Sequence, residues 1–583
     1  MKKLYLMLSM LFAFGIAANA VPAKKLQKVI TLANGTQVSV ELRGDEYLSW
    51  WEGTDGTAYR TTAADDTVFE AFDLEAQKPA AAARRARTEQ GRVARLARVK
   101  NSLKGADDKM RGLGGDHITY KGVKKGLVVL VDFNNKPFAD GHDLEYYKNV
   151  INGKDFTDEK EGYVGSVRDY FLAQSNGQFE LDFDVVGPVT MSKNYGYYGY
   201  DNAYQKDEKV YEMIKEACDG IQDQVNLKDY DWDGDGEADQ VFFLYAGLGQ
   251  ASGGSASTIW PHESELRYWP CGVLSYPTGK INTYACANEL QPETQNSSRY
   301  ISAGIGTICH EFSHCLGFAD MYDTTGGGGY GMSVFDVMDQ GSYNGNGFVP
   351  CNYTAFERIY AGWVEAIELD APATVKDMKS VSDYGRPFIM YNYKNTNEYF
   401  LMENRQNTGW DEGLYGSNGL LITHVNYVPS RWANNSVNWS TEKIQCCTVV
   451  NADGSRDNTQ YSLQGDLYPY EVKGVTMNDE FTDDSEPAAK LYNKNSDNSY
   501  ALGIPITQIK RSKGSISFLV CGGEPSNVID NTFNGVVDGI NGVTVAGKTA
   551  DNRIYSIDGR YLGTDASALG KGIYVVGGKK IVK

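Results

Sequence analysis

The sequence predicts an α+β core that continues into an all-β region and ends in a small β unit. Three observations lead there. Between about residues 113 and 365, continuous apolar runs suited to buried strands alternate with segments of helical spacing. From Glu365 to Cys521 strand-like runs follow one another, and a Gly/Pro/Ser/Asn stretch at 522–531 separates them from a last set of hairpins. Gly numbers 63 and Tyr 39 against 22 Phe, a turn-rich and strand-favouring composition.

At 583 residues the chain is too long for one core, so several domains are expected. An apolar fraction of 42% with 22% charged residues is enough to fold most of it. The net charge of −19 argues against nucleic acid as a partner, because a polyanion binder needs a basic face.

Residues 1–20 read as a signal peptide: Lys2 and Lys3, an apolar run from Leu4 to Ala17, then small residues at Ala18-Asn19-Ala20 before Val21. The run is shorter than the ~20 apolar residues that cross a bilayer, and no later stretch is long enough. The expectation is a secreted or cell-surface protein without a membrane span. Nine cysteines, an odd number with no framework spacing, leave at least one thiol outside any intrachain bridge.

Residues 21–112 have their own character. Gln27 to Leu42 reads as a hairpin around Asn34-Gly35, and Glu46 to Tyr59 as another around Asp55-Gly56. Ala80 to Arg111 is rich in Ala and Arg, with Val93, Leu96, Val99 and Leu103 at helical spacing. A small β module followed by a basic stretch suits a propeptide, cut near Arg84, Arg85 or Arg98.

The next domain, 113–365, opens with the buried-strand run Lys125 to Phe133. Ser166 to Gln174 follows with helical spacing, Gln178 to Val186 as a strand, and Val210 to Ile221 as a helix. Asp231, Asp233, Asp235, Glu237 and Asp239 then crowd one glycine-punctuated loop. Their spacing matches the first half of a calcium loop, with Glu237 offering its backbone carbonyl. The closing Glu of an EF-hand would fall at Phe242, so the loop is not one. Gln240 to Tyr245 and Ile281 to Leu290 read as further strands, the latter a candidate to line a cleft and pair with extended peptide. His262 suits a hydrogen-bonded structural histidine or a contact to metal or substrate.

The chemistry concentrates in Thr307 to Asp320. His310, Glu311 and His314 form H-E-x-x-H, extended by Gly317 and Asp320. On a helix, residues four apart share a face, so both imidazoles can reach one zinc ion with Glu311 beside it. A left-handed glycine ends the helix and can bring Asp320 back as third ligand. Cys309 and Cys315 are too far apart on one helix to bridge, and read as small buried residues or as additional ligands. Downstream, Met338 lies in a tight turn able to floor the metal site, and Tyr343 is a candidate to stabilise a transition-state oxyanion. Pro350 to Trp363 reads as a closing helix.

These motifs, with Ser166 to Phe171, Thr354 to Trp363 and Tyr399 to Gln406, resemble the immune-inhibitor-A-like secreted metalloproteases, a metzincin-related branch of the zincins. The likeness spans roughly residues 25–520. It implies a zincin/metzincin-like catalytic domain with an N-terminal propeptide and a trailing β-sandwich, zinc on His310, His314 and Asp320, and Glu311 as catalytic base. Asp320 stands where metzincins proper carry histidine. The resemblance also implies a propeptide group in the cleft; the segment has no Cys, so that group would be a carboxylate.

Residues 366–521 form the expected β-sandwich, with strands at Phe388 to Tyr393, Tyr399 to Glu403, Leu420 to Val425, Ile444 to Val450 and Ser515 to Val520. Residues 532–583 follow the 522–531 linker, and Ile554 to Arg560 with Lys571 to Val576 resembles C-terminal sorting domains of type IX secretion cargo. That likeness implies the secretion machinery as a partner. The expected function is a zinc-dependent endopeptidase acting on protein or peptide substrates. A calcium-dependent adhesin or glycan-binding protein accounts for the β regions and the acidic loop, but has no use for a glutamate between two histidines. A structural zinc site would need a nearby Cys or His as fourth ligand.

Overall fold

The computed structural model describes residues 18–19, 21–62, 67–86, 113, 120–201, 206–294, 297–326, 328–414, 418–440, 442–456, 460–533 and 535, and the backbone of strands within 554–582. The chain divides into two compact units, Met1–Val537 and Asp538–Lys583. It is a mixed helix and sheet protein.

Within the first unit, the strands Gln27–Leu32, Gln37–Gly44, Ser49–Gly53, Ala58–Thr61 and Val68–Ala71 close into a small barrel. Its interior is narrow and holds Ile30, Val40, Tyr59 and Phe69. A helical stretch at 74–86 follows. The helical spacing expected from Val93 to Leu103 lies outside the described residues.

The central sheet is built on β1 (Gly122–Phe133), β2 (Phe179–Met191), β3 (Val241–Leu248), β4 (His262–Glu265) and β5 (Thr283–Pro292). The spatial order is β4-β5-β3-β1-β2. Pairs β2/β1, β1/β3 and β3/β5 are parallel, and β4 runs antiparallel to β5. Parallel strands covered on both faces carry continuous apolar runs, which is why Leu127 to Val131 and Val241 to Ala246 are buried throughout.

Helices cover those faces: α1 (Leu144–Asn152), α2 (Val167–Gln174), α3 (Val210–Ile221) and α4 (Gly306–Cys315). Helix α2 starts at a capping box, in which Ser166 accepts from the Asp169 N–H and Asp169 accepts from the Ser166 N–H. On one face α4 packs with α2 and with Phe183 of β2 and Phe242 of β3 in the main core. On the other, α3 packs with Leu127, Val129, Phe243 and Tyr284.

Two expectations need correction here. The helix expected over Pro350 to Trp363 is confined to Ala355–Tyr360. The Asn352 and Tyr353 N–H groups go instead to Asp411 and Gln174, and Gly362 turns left-handed at φ 70. The strand read at Ile281 to Leu290 exists as β5, but it is an interior strand bonded on both sides, so it has no free edge for a peptide.

Past residue 365, a five-stranded sheet carries Phe388–Tyr391, Glu398–Arg405 and Gly419–Asn426, and a four-stranded sheet carries Ala373–Met378, Ile506–Ser512 and Ser515–Val520. They share a core of Phe388, Met390, Phe400, Val375, Ile516 and Phe518. The opposite face of the five-stranded sheet enters the main core: Ile389, Tyr399, Leu401 and Leu421 pack in one cluster with Phe312 and Met338. Fully buried Arg405 ties the same regions, donating to Asp411 and Glu403 and to the carbonyls of Phe335 and Asn352. In the second unit, four strands order as 561–563, 554–556, 573–576 and 579–582, all antiparallel.

Candidate metal centre and cleft

The local sequence explains why α4 stops where it does. Gly317 adopts φ 92, where an L side chain would be strained, and its N–H returns to His314 O at 2.9 Å while Phe318 N–H returns to Ser313 O at 3.2 Å. The chain then doubles back and places Asp320 against the helix. Asp320 Oδ1 lies 3.2 Å from His310 Nε2 and 3.3 Å from His314 Nε2, and all three residues are buried. Their ligand atoms lie within 4.8 Å of one another.

Each imidazole is set by its other nitrogen. His310 Nδ1 bonds to Val337 O at 2.7 Å and His314 Nδ1 to Phe318 O at 2.9 Å. A carbonyl can only accept, so Nδ1 carries the hydrogen and Nε2 presents its lone pair inward in the neutral ring. Burial lowers the His310 pKa, which favours that neutral form. Burial opposes the Asp320 charge, and only positive charge facing it, on the His314 and His310 rings or on a cation between them, holds the carboxyl below its ordinary value. His310 Nε2, Asp320 Oδ1 and Glu311 Oε2 are buried without a hydrogen-bond partner. Lone pairs and a carboxylate that converge with no donor among them fit a bound cation; without one, the arrangement costs several kcal/mol. Two nitrogens and one carboxylate oxygen make the donor set of a zinc site with an open fourth position.

Met338 sits in the expected turn. It is buried in the main core, its N–H is fixed by Asp336 Oδ1, and its carbonyl accepts from Met321 N–H at 2.9 Å, one residue past Asp320. The preceding carbonyl, Val337 O, is the one that orients His310. Cys309 and Cys315 are buried thiols of the main core, and neither belongs to the ligand group.

The chain's own N-terminal segment lies in the cleft. Ala18–Asn19 pairs antiparallel with β4, the edge strand, at Ser264 and Glu263. Val21 is fully buried, and its N–H donates to Glu311 Oε1 at 2.7 Å. Trp260 Nε1 donates to Val21 O, Tyr343 hydroxyl to Pro22 O at 2.8 Å, and Gln340 Nε2 to Ala23 O at 3.3 Å. Burial pushes the Glu311 carboxyl well above its ordinary pKa, and the Val21 N–H opposes that. The group found on Glu311 is thus a peptide N–H, while two buried carboxylates of the same segment, Asp45 and Glu46, lie close enough to Asp320 to interact with it electrostatically. Of these two, Asp45 is ion-paired with Arg85, and Glu46 leaves Oε2 unpartnered. Arg85 is itself buried and Arg84 donates to Tyr47 O, so the folded segment protects that expected cleavage point; Arg98 lies outside the described residues.

The acidic loop brings Asp231, Asp233 and Asp239 together, with carboxylate oxygens within 4.8 Å. Loop N–H groups converge on Asp231, from Gly234 at 2.7 Å and Gly236 at 2.9 Å, and both glycines are left-handed. Asp235 turns to accept from Glu237 N–H, and the Glu237 side chain pairs with Arg267 at 3.1 Å, so neither carboxylate joins the three. His262 is structural: Nδ1 bonds Trp260 O at 2.7 Å and Nε2 meets Tyr284 hydroxyl at 2.9 Å.

Residues that local reasoning missed are Val21, the β4 edge, and Asn435, which reaches the metal centre from a sequence distance of 115 residues. Nothing in Asn434-Asn435-Ser436 distinguishes it from an ordinary polar loop.

Residues 120–364 match the peptidase M6 family, described as immune inhibitor A peptidase M6, catalytic domain. Pre-pro-metalloprotease PrtV of Vibrio cholerae serotype O1, in strains M66-2 and ATCC 39315 / El Tor Inaba N16961, is 27% identical over 321 residues, 46% of this chain and 34% of the relative. Immune inhibitor A of Bacillus thuringiensis subsp. alesti is 26% identical over 294 residues, 42% of this chain and 41% of that protein. The chain therefore spans well under half the length of these curated relatives. Among the described residues no helix is long and apolar enough to cross a membrane.

Burial depresses the His262 pKa from its ordinary 6.5 to about 4. The unfolded chain takes up that proton first as pH falls, so the stability from keeping the ring neutral is intact above pH 6.5 and is lost progressively towards pH 4. At about 1.4 kcal/mol per unit, the loss is about 3 kcal/mol. His262→Gln is expected to remove close to one proton from the acid-side slope of stability, measured by urea unfolding between pH 7 and 4.5. An unchanged slope would contradict the assignment.

Proposed function

We propose that the chain is a secreted zinc-dependent endopeptidase that hydrolyses peptide bonds of extracellular proteins and is made as a latent precursor. One observation carries the reading. Three buried ligand atoms converge beside Glu311, at a cleft in which an extended peptide segment already puts an N–H on Glu311 and a carbonyl near it on Tyr343. The match of residues 120–364 to a peptidase catalytic domain supports it. The adhesin alternative gives Glu311 and Asp320 no task.

His310, His314 and Asp320 would hold the zinc ion, which when bound supplies Lewis acidity, polarising a carbonyl and bringing the pKa of water to about 7. Glu311, desolvated and therefore a stronger base than an exposed carboxylate, takes the proton of the attacking water at its carboxylate oxygen and passes it to the leaving amine. The Tyr343 hydroxyl donates to a carbonyl oxygen in the cleft, the contact it makes now with Pro22, and can strengthen it as charge develops. The β4 edge pairs with extended substrate backbone, as it does here with residues 18–19.

Latency follows from the same contacts. Residues 21–24 occupy the cleft, and removal of the signal peptide after Ala20 would convert the Val21 nitrogen into an ammonium ion against the buried Glu311 carboxylate. The aspartate loop is assigned to structural calcium, since three carboxylates this close repel one another without a cation. The terminal β unit, residues 532–583, is assigned to recognition by the secretion machinery.

Glu311→Gln is expected to retain zinc, measured by elemental analysis, and to lose casein cleavage by about 10³-fold or more. Residual activity near that of the parent would sink the base assignment. The chain beginning at Val21 is expected to be inactive until the 21–112 segment is cut away, followed by mass spectrometry of new N-termini alongside peptide hydrolysis; full activity with the segment intact and bound would refute latency. Calcium is expected to raise the thermal midpoint by several degrees, and Asp231→Ala to abolish that rise. Equal midpoints with and without calcium would remove the metal from the loop.

A further inference from the structure

We infer that Asn435 is a positioning residue of the metal centre, supplied by the segment that follows the matched catalytic region. The inference rests on the zinc reading of His310, His314 and Asp320 and extends it to a side chain outside residues 120–364.

Asp320 is not on α4. It follows the left-handed turn at Gly317, on a loop whose direction no helical bond fixes. Asn435 holds it at two points: Oδ1 accepts from the Asp320 N–H at 2.6 Å, and Nδ2 donates to Asp320 Oδ2 at 2.5 Å. The two contacts determine the amide's orientation, because only a carbonyl oxygen can accept from the N–H and only the NH₂ can donate to the carboxylate. They also divide the work of the Asp320 carboxylate. Oδ2 is turned to Asn435, and Oδ1 is left facing both histidine Nε2 atoms. Beside the two imidazoles, the Asn435 side chain is in direct contact with that carboxylate.

The backbone at Asn435 suits the task. It has φ 48, in the left-handed region that asparagine tolerates better than most residues, and it is 2% exposed. It follows the short helix Pro429–Ala433, and its neighbours grip the same loop. Asn438 Nδ2 donates to Met321 O at 2.7 Å, Trp439 Nε1 to Thr324 Oγ1 at 2.7 Å, and Thr324 Oγ1 to Asn435 O at 3.3 Å. Asn438 is anchored in turn to Cys447 by its N–H and its carbonyl, where the strand Cys447–Val449 joins the five-stranded sheet. The trailing β region thus completes the coordination geometry, by fixing which oxygen of Asp320 faces the histidines. Partners of this kind typically change metal affinity by about 10–100-fold.

The test is zinc affinity in the full chain, read by competition with a chromogenic chelator, with kcat and KM for a peptide substrate after propeptide removal. Asn435→Gly keeps the left-handed backbone and removes the amide. Asn435→Asp keeps shape and volume but sets an acceptor against Asp320 Oδ2. Both are expected to weaken zinc binding by about 10–100-fold, with the zinc-free protein melting as the parent does, and to lower kcat more than they raise KM. Unchanged zinc affinity in both variants overturns the proposal, as does a loss matched by an equal fall in the stability of the zinc-free protein. His310→Ala serves as the reference: a parent chain that binds zinc no better than His310→Ala refutes the zinc reading itself, whatever Asn435 does.

Discussion

The structure depends on one electrostatic constraint: two imidazole lone pairs and a carboxylate oxygen face one another at 3.2 and 3.3 Å in a site closed to water. Such a cluster is not self-sufficient, and each surrounding element compensates part of its cost. The carbonyls of Val337 and Phe318 fix the rings, Asn435 fixes the carboxylate, and the turn at Met338 fixes the loop that carries it. Those groups come from three separate stretches of chain, around Phe318, Val337-Met338 and Asn435, so the centre ties together segments that share no local structure.

The same logic extends outward through buried charge. Arg405 is 0% exposed and makes paired bonds to Asp411 with further bonds to Glu403, Phe335 O and Asn352 O. Removing one partner from such a network would strand a charge in the interior at about 3–5 kcal/mol. That network joins the trailing sheet to the turn region beneath the metal centre. The two regions also share one apolar core, so the trailing sheet is a load-sharing wall of the centre in the physical sense that its side chains fill the same volume.

The cleft contains a worked example of peptide recognition in the chain's own N-terminal segment. An edge strand can accept an extended backbone, an apolar wall of Trp260 and Tyr343 covers it, and Glu311 meets an N–H. A segment of this kind gains affinity from being covalently attached, since its effective concentration at the cleft is of millimolar order or above. Complementarity too weak to hold a free peptide can therefore hold a tethered one.

The strands and helices of the central region were legible because their signals are local and strong. Leu127 to Val131 is a continuous apolar run suited to a strand buried on both faces, and Ser166 to Gln174 and Val210 to Ile221 repeat their apolar residues at helical spacing. That His310, His314 and Asp320 come together beside Glu311 was legible for a related reason: helix geometry and one left-handed glycine convert their spacing directly into proximity. What the sequence determined alone is therefore the chemistry carried by a single contiguous stretch. The tertiary structure decided everything that depends on long sequence separation: that β4 and not β5 is the open edge, that the helix after Pro350 is short, that Val21 lies on Glu311 across 290 residues, and that Asn435 holds Asp320 across 115. No residue pattern encodes those contacts, because they arise only when the whole core has packed and left each group one place to go.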